Sequence, residues 1–491
     1  VVIATQDTLL QLTLEDAQIT VNGEQKALER NSDGASLLPL PAGRHRILSA
    51  RPRTAMLAHT QTNLQNLLAK GESQRTAKRE ARDTEAELEL PALQRIASAN
   101  VGGQITDMIS LATPAGPLLA VSSGKTIHLI AADGQTVRQM KTDGQIRMLR
   151  WWPDHQLLLA GCVDEKVIAF DTEGQRQWVF VSEMDPAVFR AAKQYWFKSA
   201  PGQNGIHGLY TGVFLDGKSQ AFVGSACTLE IIDEHGQLIK RLPVFWGLSS
   251  VFTIVPGPND SLNLLAGRKH NGTNDVAVIN NRVLSADPRS FNSVPADATY
   301  VGGWSAMNRH RLFYEDLAGD GTKLVISDIN GTYNRVTAWE LNGRALYDAS
   351  FGPGPGYGGR GWRQSNYDTR NVRDMDIADL DGDGTQEVVV GLWSGYVVAL
   401  DYQLQKVWAL RLSSPPTTLR IVHTPGAPTS QIIVGSEDGT ISLLNHQGQV
   451  LRLGAVRGVP TFIETLEDTA GTEMVMVGTH TGEVCGFLIA K

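Results

Sequence analysis

LLAVSSGKTIHLIAADGQ, from Leu118 to Gln135, is the stretch that decides the fold. It reads as an apolar run, a Gly turn, a second apolar run, then an acidic residue and another Gly turn. The phrase returns as LLLAGCVDEKVIAFDTEGQ from Leu157, AFVGSACTLEIIDEHGQ from Ala221 and LNLLAGRKHNGTNDVAVINN from Leu262. It continues as KLVISDINGTYNRVTAWELNGR from Lys323, EVVVGLWSGYVVALDYQLQ from Glu387, QIIVGSEDGTISLLNHQGQ from Gln431 and EMVMVGTHTGEVCGFL from Glu473. Each copy has another short strand before it and usually one after. Four short strands per repeat of about 40–60 residues mark the blade of a β-propeller. Eight copies predict an all-β, eight-bladed ring, or seven blades if one copy is irregular. The last copy stops after its third strand, so strand 93–101 is expected to complete the last blade and close the ring. Closure hides the edges that an open sheet would expose.

Outside the repeats the chain changes character. Residues 1–54 contain short strands separated by turn residues and are expected to form a small β-sandwich-like segment. Residues 55–92 read as a helix and a charged linker: Leu57, Leu64, Leu67 and Leu68 have helical spacing, and GESQRTAKREARDTEAE is a solvated charge run. The propeller then occupies 93–491.

Composition narrows the function. Hydrophobic residues make up 42% and charged residues 19% of the 491 residues, as in an ordinary folded chain. A net charge of −7 argues against a nucleic-acid binder, which needs a basic face. No apolar run reaches the roughly 20 residues of a membrane-spanning helix. Cys162, Cys227 and Cys485 are too widely spaced for a metal site or a disulfide framework and read as buried free thiols.

One loop carries metal chemistry. In Asp379-Leu-Asp381-Gly-Asp383-Gly-Thr-Gln-Glu387, carboxylates at positions one, three, five and nine can converge on a hard cation, and Gly382 and Gly384 permit the tight turn. Oxygen ligands at this density favour Ca²⁺. IADLDGDGTQEVVVG resembles the FG-GAP or VCBS repeat of integrin-α-type propellers and of many secreted bacterial proteins. That resemblance implies Asp379, Asp381, Asp383 and Glu387 as ligands of a structural Ca²⁺, and an extracellular or periplasmic location. LPLPAGRHRI similarly resembles the closing strands of accessory sandwiches in secreted carbohydrate-active proteins. The copy Asp316-Leu-Ala-Gly-Asp320 lacks the acids at positions three and nine, which makes it a weaker candidate for a cation.

The long connections between copies predict the functional face. They lie at about 181–206, 286–310 and 350–373 and are rich in aromatic and cationic residues. Trp196, Trp304, Arg309, Arg360, Trp362, Arg363 and Arg373 fall there, and strand-connecting turns on the same face add Arg268, Tyr333 and Trp393. Arg offers a forked donor for carboxylates, and indole and phenol rings offer flat faces for sugars. Together they predict an acidic, uronic-acid-containing polysaccharide as partner. Cleavage by β-elimination needs a neutraliser for the carboxylate, a base and an acid. His207, His270 and His310 are the candidate bases and Tyr210 the candidate acid. At fold level this resembles propeller polysaccharide lyases.

Other readings remain. A non-catalytic carbohydrate- or protein-binding module of a larger secreted protein needs the same surface without a base. A glycoside hydrolase wants two facing carboxylates, and Glu183, Asp185, Asp275, Asp297 and Asp368 are not paired by sequence. AFDTEGQRQW (169–178) and ALDYQLQKVW (399–408) resemble the tryptophan-docking motif of quinone-dependent dehydrogenases.

Overall fold

A computed structural model describes residues 90–184, 204–269, 276–284, 298–301, 310–329, 334–351, 372–423, 427–467 and 473–489, together with short strands between residues 2 and 49. The helix and linker expected at 55–92 lie almost wholly outside the described residues. The short N-terminal strands form three small sheets of two, three and three strands, and a sandwich is not shown among the described residues.

The repeats fold as a β-propeller. Second strands such as Leu157–Cys162, Leu324–Ile329 and Glu387–Leu392 are buried at every position. Each lies in the middle of its own sheet, with a neighbouring sheet packed on either face. A strand covered on both faces needs an unbroken apolar run instead of alternation, and each fully buried Val, Leu or Ile contributes about 1.5–3 kcal/mol. Outer strands such as Thr136–Lys141 keep a single buried position, Met140. Burial pushes the Cys162 and Cys485 thiols up to about 12, and all three cysteines are buried and outside any disulfide.

Six sheets have four strands and span 105–141, 146–181, 312–350, 372–411, 416–455 and 460–488, the last being completed by Gln94–Asn100. Gln94–Asn100 pairs antiparallel with Glu483–Leu488, so the two ends of the ring are joined by hydrogen bonds. The third and fourth copies share one six-stranded sheet, 208–301. There Lys218–Ile232 pairs through its first half with Gly208–Leu215 and, from Thr228 onward, with Leu238–Pro243, with Cys227 at φ 49° between the halves. From Leu248 the strand Leu238–Pro256 runs on to pair with Leu262–Lys269. Eight copies therefore give seven sheets among the described residues. The ring is seven-bladed when counted by sheets, and the eight-blade expectation is corrected, because the chain crosses between copies three and four without leaving the sheet.

The turn into each outer strand explains the recurring Asp-x-x-Gly-Gln. Gly174 and Gly236 donate their amides to the carbonyls of Asp171 and Asp233, at φ 80° and 73°. The side chains of Asp171 and Asp233 accept from the Gln175 and Gln237 amides, each at 2.7 Å. Only glycine adopts that left-handed φ without strain, and a short carboxylate caps the turn.

The same turns lock sheet to sheet. Trp178 Nε1 donates to the Glu234 carbonyl and Trp408 Nε1 to the His446 carbonyl, both at 2.8 Å. Each indole lies on the glycine of the next copy's turn: a Cβ on Gly236 or Gly448 would stand 2.6 Å from the ring. The two decapeptides ending in Trp178 and Trp408 thus place tryptophan as an inter-sheet lock. Elsewhere the chain fills this position differently, with Arg138 against Gly174 and the Ser98 backbone against Gly134.

Trp408 is 4% exposed. Trp408→Ala is therefore expected to destabilise the ring by about 3–5 kcal/mol. Trp408→Phe, which keeps a ring but loses the hydrogen bond, should cost about 1 kcal/mol. Urea unfolding midpoints of the two variants read the difference, and equal midpoints would remove the lock from this account.

Candidate functional site at the ring axis

Four sequence-derived candidates among the described residues, His207, Tyr210, His310 and Arg373, each have an internal partner. His207 is 8% exposed; its Nε2 lies 3.0 Å from the Asn204 carbonyl and also meets the Arg147 guanidinium. Tyr210 packs on Phe222 and Phe252 and carries the Arg150 guanidinium 4.8 Å over its ring. His310 Nδ1 is 3.0 Å from Asp328 Oδ2. Burial alone would raise the Asp328 carboxyl, but the His310 side chain and the amides of His310 and Arg311 hold it down at about 2. Arg373 pairs with Glu437 at 3.1 Å in the next sheet. Trp393 is half-buried in the turn before Tyr396–Leu400. Arg268 contributes backbone to Leu262–Lys269, and its side chain is not described. Trp196, His270, Trp304, Arg309, Tyr333, Arg360, Trp362 and Arg363 lie outside the described residues. His207 and His310, offered as free bases, are instead members of structural networks, because each sits at a junction where a neighbouring strand supplies its partner.

The acidic loop is partly assembled. Ligand oxygens of Asp379, Asp381 and Glu387 lie within 4.8 Å of one another, whereas Asp383 does not join them. Asp383 turns back to accept from the Thr385 amide at 2.7 Å and the Thr385 hydroxyl at 2.8 Å. Asp379 is held in place by the amides of Gly382 and Gly384. Burial first, and then the three neighbouring aspartates, push Glu387 up to about 7. Three convergent carboxylates with uncompensated repulsion fit a hard divalent cation. In the Asp316 loop, Asp316 and Asp320 accept from local amides, and no metal cluster is found there among the described residues.

The axis holds a cluster that the sequence reading missed. First strands of successive sheets meet there; Ile105–Thr113, for example, meets both Ile146–Trp152 and Pro460–Glu467. Several first strands begin with a β-bulge, including those at Thr106, Arg147, Arg373 and Thr417. A bulge re-aims one side chain, and here it reaches the next sheet. Arg147 donates to the carbonyls of Asn204 and Ile206, and Thr417 to that of Pro460.

The aspartate after the bulge then stitches strand to strand. Asp107 Oδ2 accepts from the Leu149 amide at 2.7 Å, and Asp374 Oδ2 from the Leu419 amide at 3.1 Å. Asp376 accepts from the Ile421 amide at 2.9 Å. These amides lie on the inner edge of their sheets, where no further strand is available to satisfy them. Arginines complete the belt. Arg311 pairs with Asp374 at 2.9 Å, and Arg420 with Glu464 at 3.2 Å and with Asp376 at 3.9 Å. Ser110 reaches Glu464 at 3.4 Å, and Arg150 caps Tyr210. The Asp374 charge raises Arg311. Burial alone would raise Asp374, but the charge and hydrogen bond of Arg311 bring it below the usual carboxylate range. The available sequence signal was a charge inside an otherwise apolar first strand, as in ITDMISL, IRMLRWW and VRDMDIA.

No protein-family model matches this chain, and no curated protein matches it. Solved structures share its fold. Sqt1 of Saccharomyces cerevisiae superposes with a TM-score of 0.57 at 11% identity, covering 82% of this chain and 100% of Sqt1. BamB of Moraxella catarrhalis gives 0.51 at 16% identity, covering 81% of this chain and 100% of its own. The Dos1 propeller gives 0.53 at 10% identity, over 81% of this chain and 95% of its own. At these identities the propeller fold is shared and nothing finer; membership of the integrin-type or lyase-type families is not shown. No helix among the described residues is long and apolar enough to cross a membrane.

Asp107 supplies a pH test of the belt. Burial pushes its carboxyl up to about 7, against the pull of the Leu149 and Met108 amides. An unfolded aspartate titrates near 3.9. The folded state therefore binds this proton more tightly, and stability is lost as pH rises from about 4 to about 7. Thermal melting across that window should show a decline that Asp107→Asn flattens; an unchanged slope in the variant would remove Asp107 as its source.

Proposed function

We propose that this chain is a non-catalytic binding propeller, a rigid ring that offers a surface to a partner macromolecule. The observation that carries the reading is the engagement of the acid–base candidates. His207, Tyr210 and His310 each serve a separate internal contact, and the axial charges mostly neutralise one another. β-Elimination would need a base, an acid and a carboxylate neutraliser converging on one sugar, and the described residues offer no such set. Propellers similar in fold, such as the C-terminal WD40 domain of Sif2 (TM-score 0.50, 12% identity), support the scaffold reading by analogy of fold alone. An extracellular or periplasmic location is part of the same proposal.

We also propose that Asp379, Asp381 and Glu387 hold a structural Ca²⁺. The Asp379 carbonyl accepts from the Ser430 hydroxyl at 2.8 Å, and the Leu317 carbonyl accepts from the Gln386 amide at 2.8 Å, so this loop touches the sheets on both sides. A cation bound there would brace three successive sheets rather than perform chemistry.

Two measurements test these readings. Incubation with polygalacturonate, alginate and hyaluronan is expected to give neither the ultraviolet absorbance of an elimination product nor new reducing ends. An absorbance rise that His207→Ala abolishes would overturn the non-catalytic reading. Calcium at about a hundred times its Kd should stabilise the chain against EDTA-treated protein by about 2.7 kcal/mol. Asp381→Asn should lose that gain, and identical melting with calcium and with EDTA would dismiss the cation.

A further inference from the structure

The three arginines of the axial belt are not equivalent. Arg311 and Arg420 each meet a carboxylate. Arg150 makes no described hydrogen bond, and its Nε is sealed from solvent without a partner. The carboxylate whose charge acts on it is already committed: Asp107 accepts from the Met108 amide through Oδ1 and from the Leu149 amide through Oδ2. What holds Arg150 is the face of Tyr210, 4.8 Å below its guanidinium. Burial lowers the proton affinity of Arg150, and the charges of Tyr210 and Asp107 only partly oppose this. A guanidinium has five donors in a rigid fork and matches a carboxylate in bidentate fashion. Here the fork is already oriented by a ring, so little side-chain freedom remains to be lost when an anion binds.

We propose that Arg150, stacked on Tyr210 beside the ring axis, is the anchor for a carboxylate side chain of an acidic peptide segment in the partner protein. The proposal rests on the binding-propeller reading and names the partner's chemistry. A peptide suits the site better than an acidic glycan does. Sugar rings are recognised on open aromatic faces, and among the described residues the ring stacked at Arg150, that of Tyr210, is covered by the guanidinium itself. The strand carrying Arg150 also presents Arg147, which is spent on the Asn204 and Ile206 carbonyls, so the site offers one fork rather than a basic track. The protein as a whole carries −7, and diffuse attraction for an acidic peptide is absent. Binding, where it occurs, must be local.

The test uses fluorescence anisotropy of labelled hexaglutamate and hexaglutamine with the full chain. Hexaglutamate should bind, and hexaglutamine should not. Arg150→Gln should weaken hexaglutamate binding about tenfold or more. Lys125→Gln, which removes an exposed positive charge elsewhere, should leave it unchanged. Thermal melting of each variant reports folding. If Arg150→Gln does not fold, Arg150→Lys keeps the charge without the fork and should still bind several-fold more weakly. Equal affinities of wild type, Arg150→Gln and Arg150→Lys, or no hexaglutamate binding at all, would overturn the assignment. Arg150-dependent binding of labelled oligogalacturonate in preference to hexaglutamate would overturn it in favour of a glycan. Each of these failures leaves the non-catalytic reading standing, because only turnover of a uronate polymer removes that.

Discussion

The inner edge of each first strand is the constraint from which the rest of this ring follows. A propeller sheet has its second strand on one side of the first and only the axis on the other. The amides facing the axis have no ladder partner, and leaving them buried and unpaired is costly. Asp107, Asp374 and Asp376 meet that need by accepting from Leu149, Leu419 and Ile421 of the adjoining sheet. Those carboxylates must then be neutralised, which places Arg311 and Arg420 at the same level. In the Arg311–Asp374 pair the carboxylate is buried and the guanidinium is partly exposed, so losing Arg311 would strand a buried charge, while solvent screens the pair from its outer side. The belt runs from Arg311 through Asp374, Arg420, Glu464 and Asp107 to Arg150 and Tyr210. It needs no latch between copies three and four, because there the backbone continues within one sheet.

The rim is held by a different kind of contact. Trp178 and Trp408 combine apolar burial with one directed hydrogen bond onto a glycine turn. Axis and rim therefore divide the work: charge and hydrogen bonding join the sheets at the centre, and packing joins them at the edge. A ring closed in both ways is stiff, which suits a scaffold that presents surface rather than one that moves through a reaction cycle. Arg150 stands out against this background as a charged group that the internal arrangement orients but does not neutralise.

Much of the fold was legible because the repeat is dictated locally. An apolar run between Gly turns specifies a strand buried on both faces, and Asp-x-x-Gly-Gln specifies the turn that follows it. The Trp178 and Trp408 decapeptides were visible as a motif, although their role as locks needed the neighbouring turn. The site was far less legible. His207 and His310 looked available because sequence reports residue type and not partner, and their partners Arg147 and Asp328 lie 60 and 18 positions away. In the acidic loop the spacing of Asp379, Asp381 and Glu387 was enough to indicate convergence. Asp383 departs from it because Thr385, two residues on, offers both an amide and a hydroxyl to its carboxylate.

The amino-acid sequence alone determined that this chain is an all-β propeller of repeated strands, since period, turn residues and apolar runs are short-range properties. Tertiary structure alone decided that eight copies form seven sheets, that His207 and His310 are engaged, and that charges from several distant strands gather at the axis. The physical reason is that hydrogen-bond satisfaction and charge neutralisation are settled between strands tens of residues apart, where only the closed ring brings donor and acceptor together.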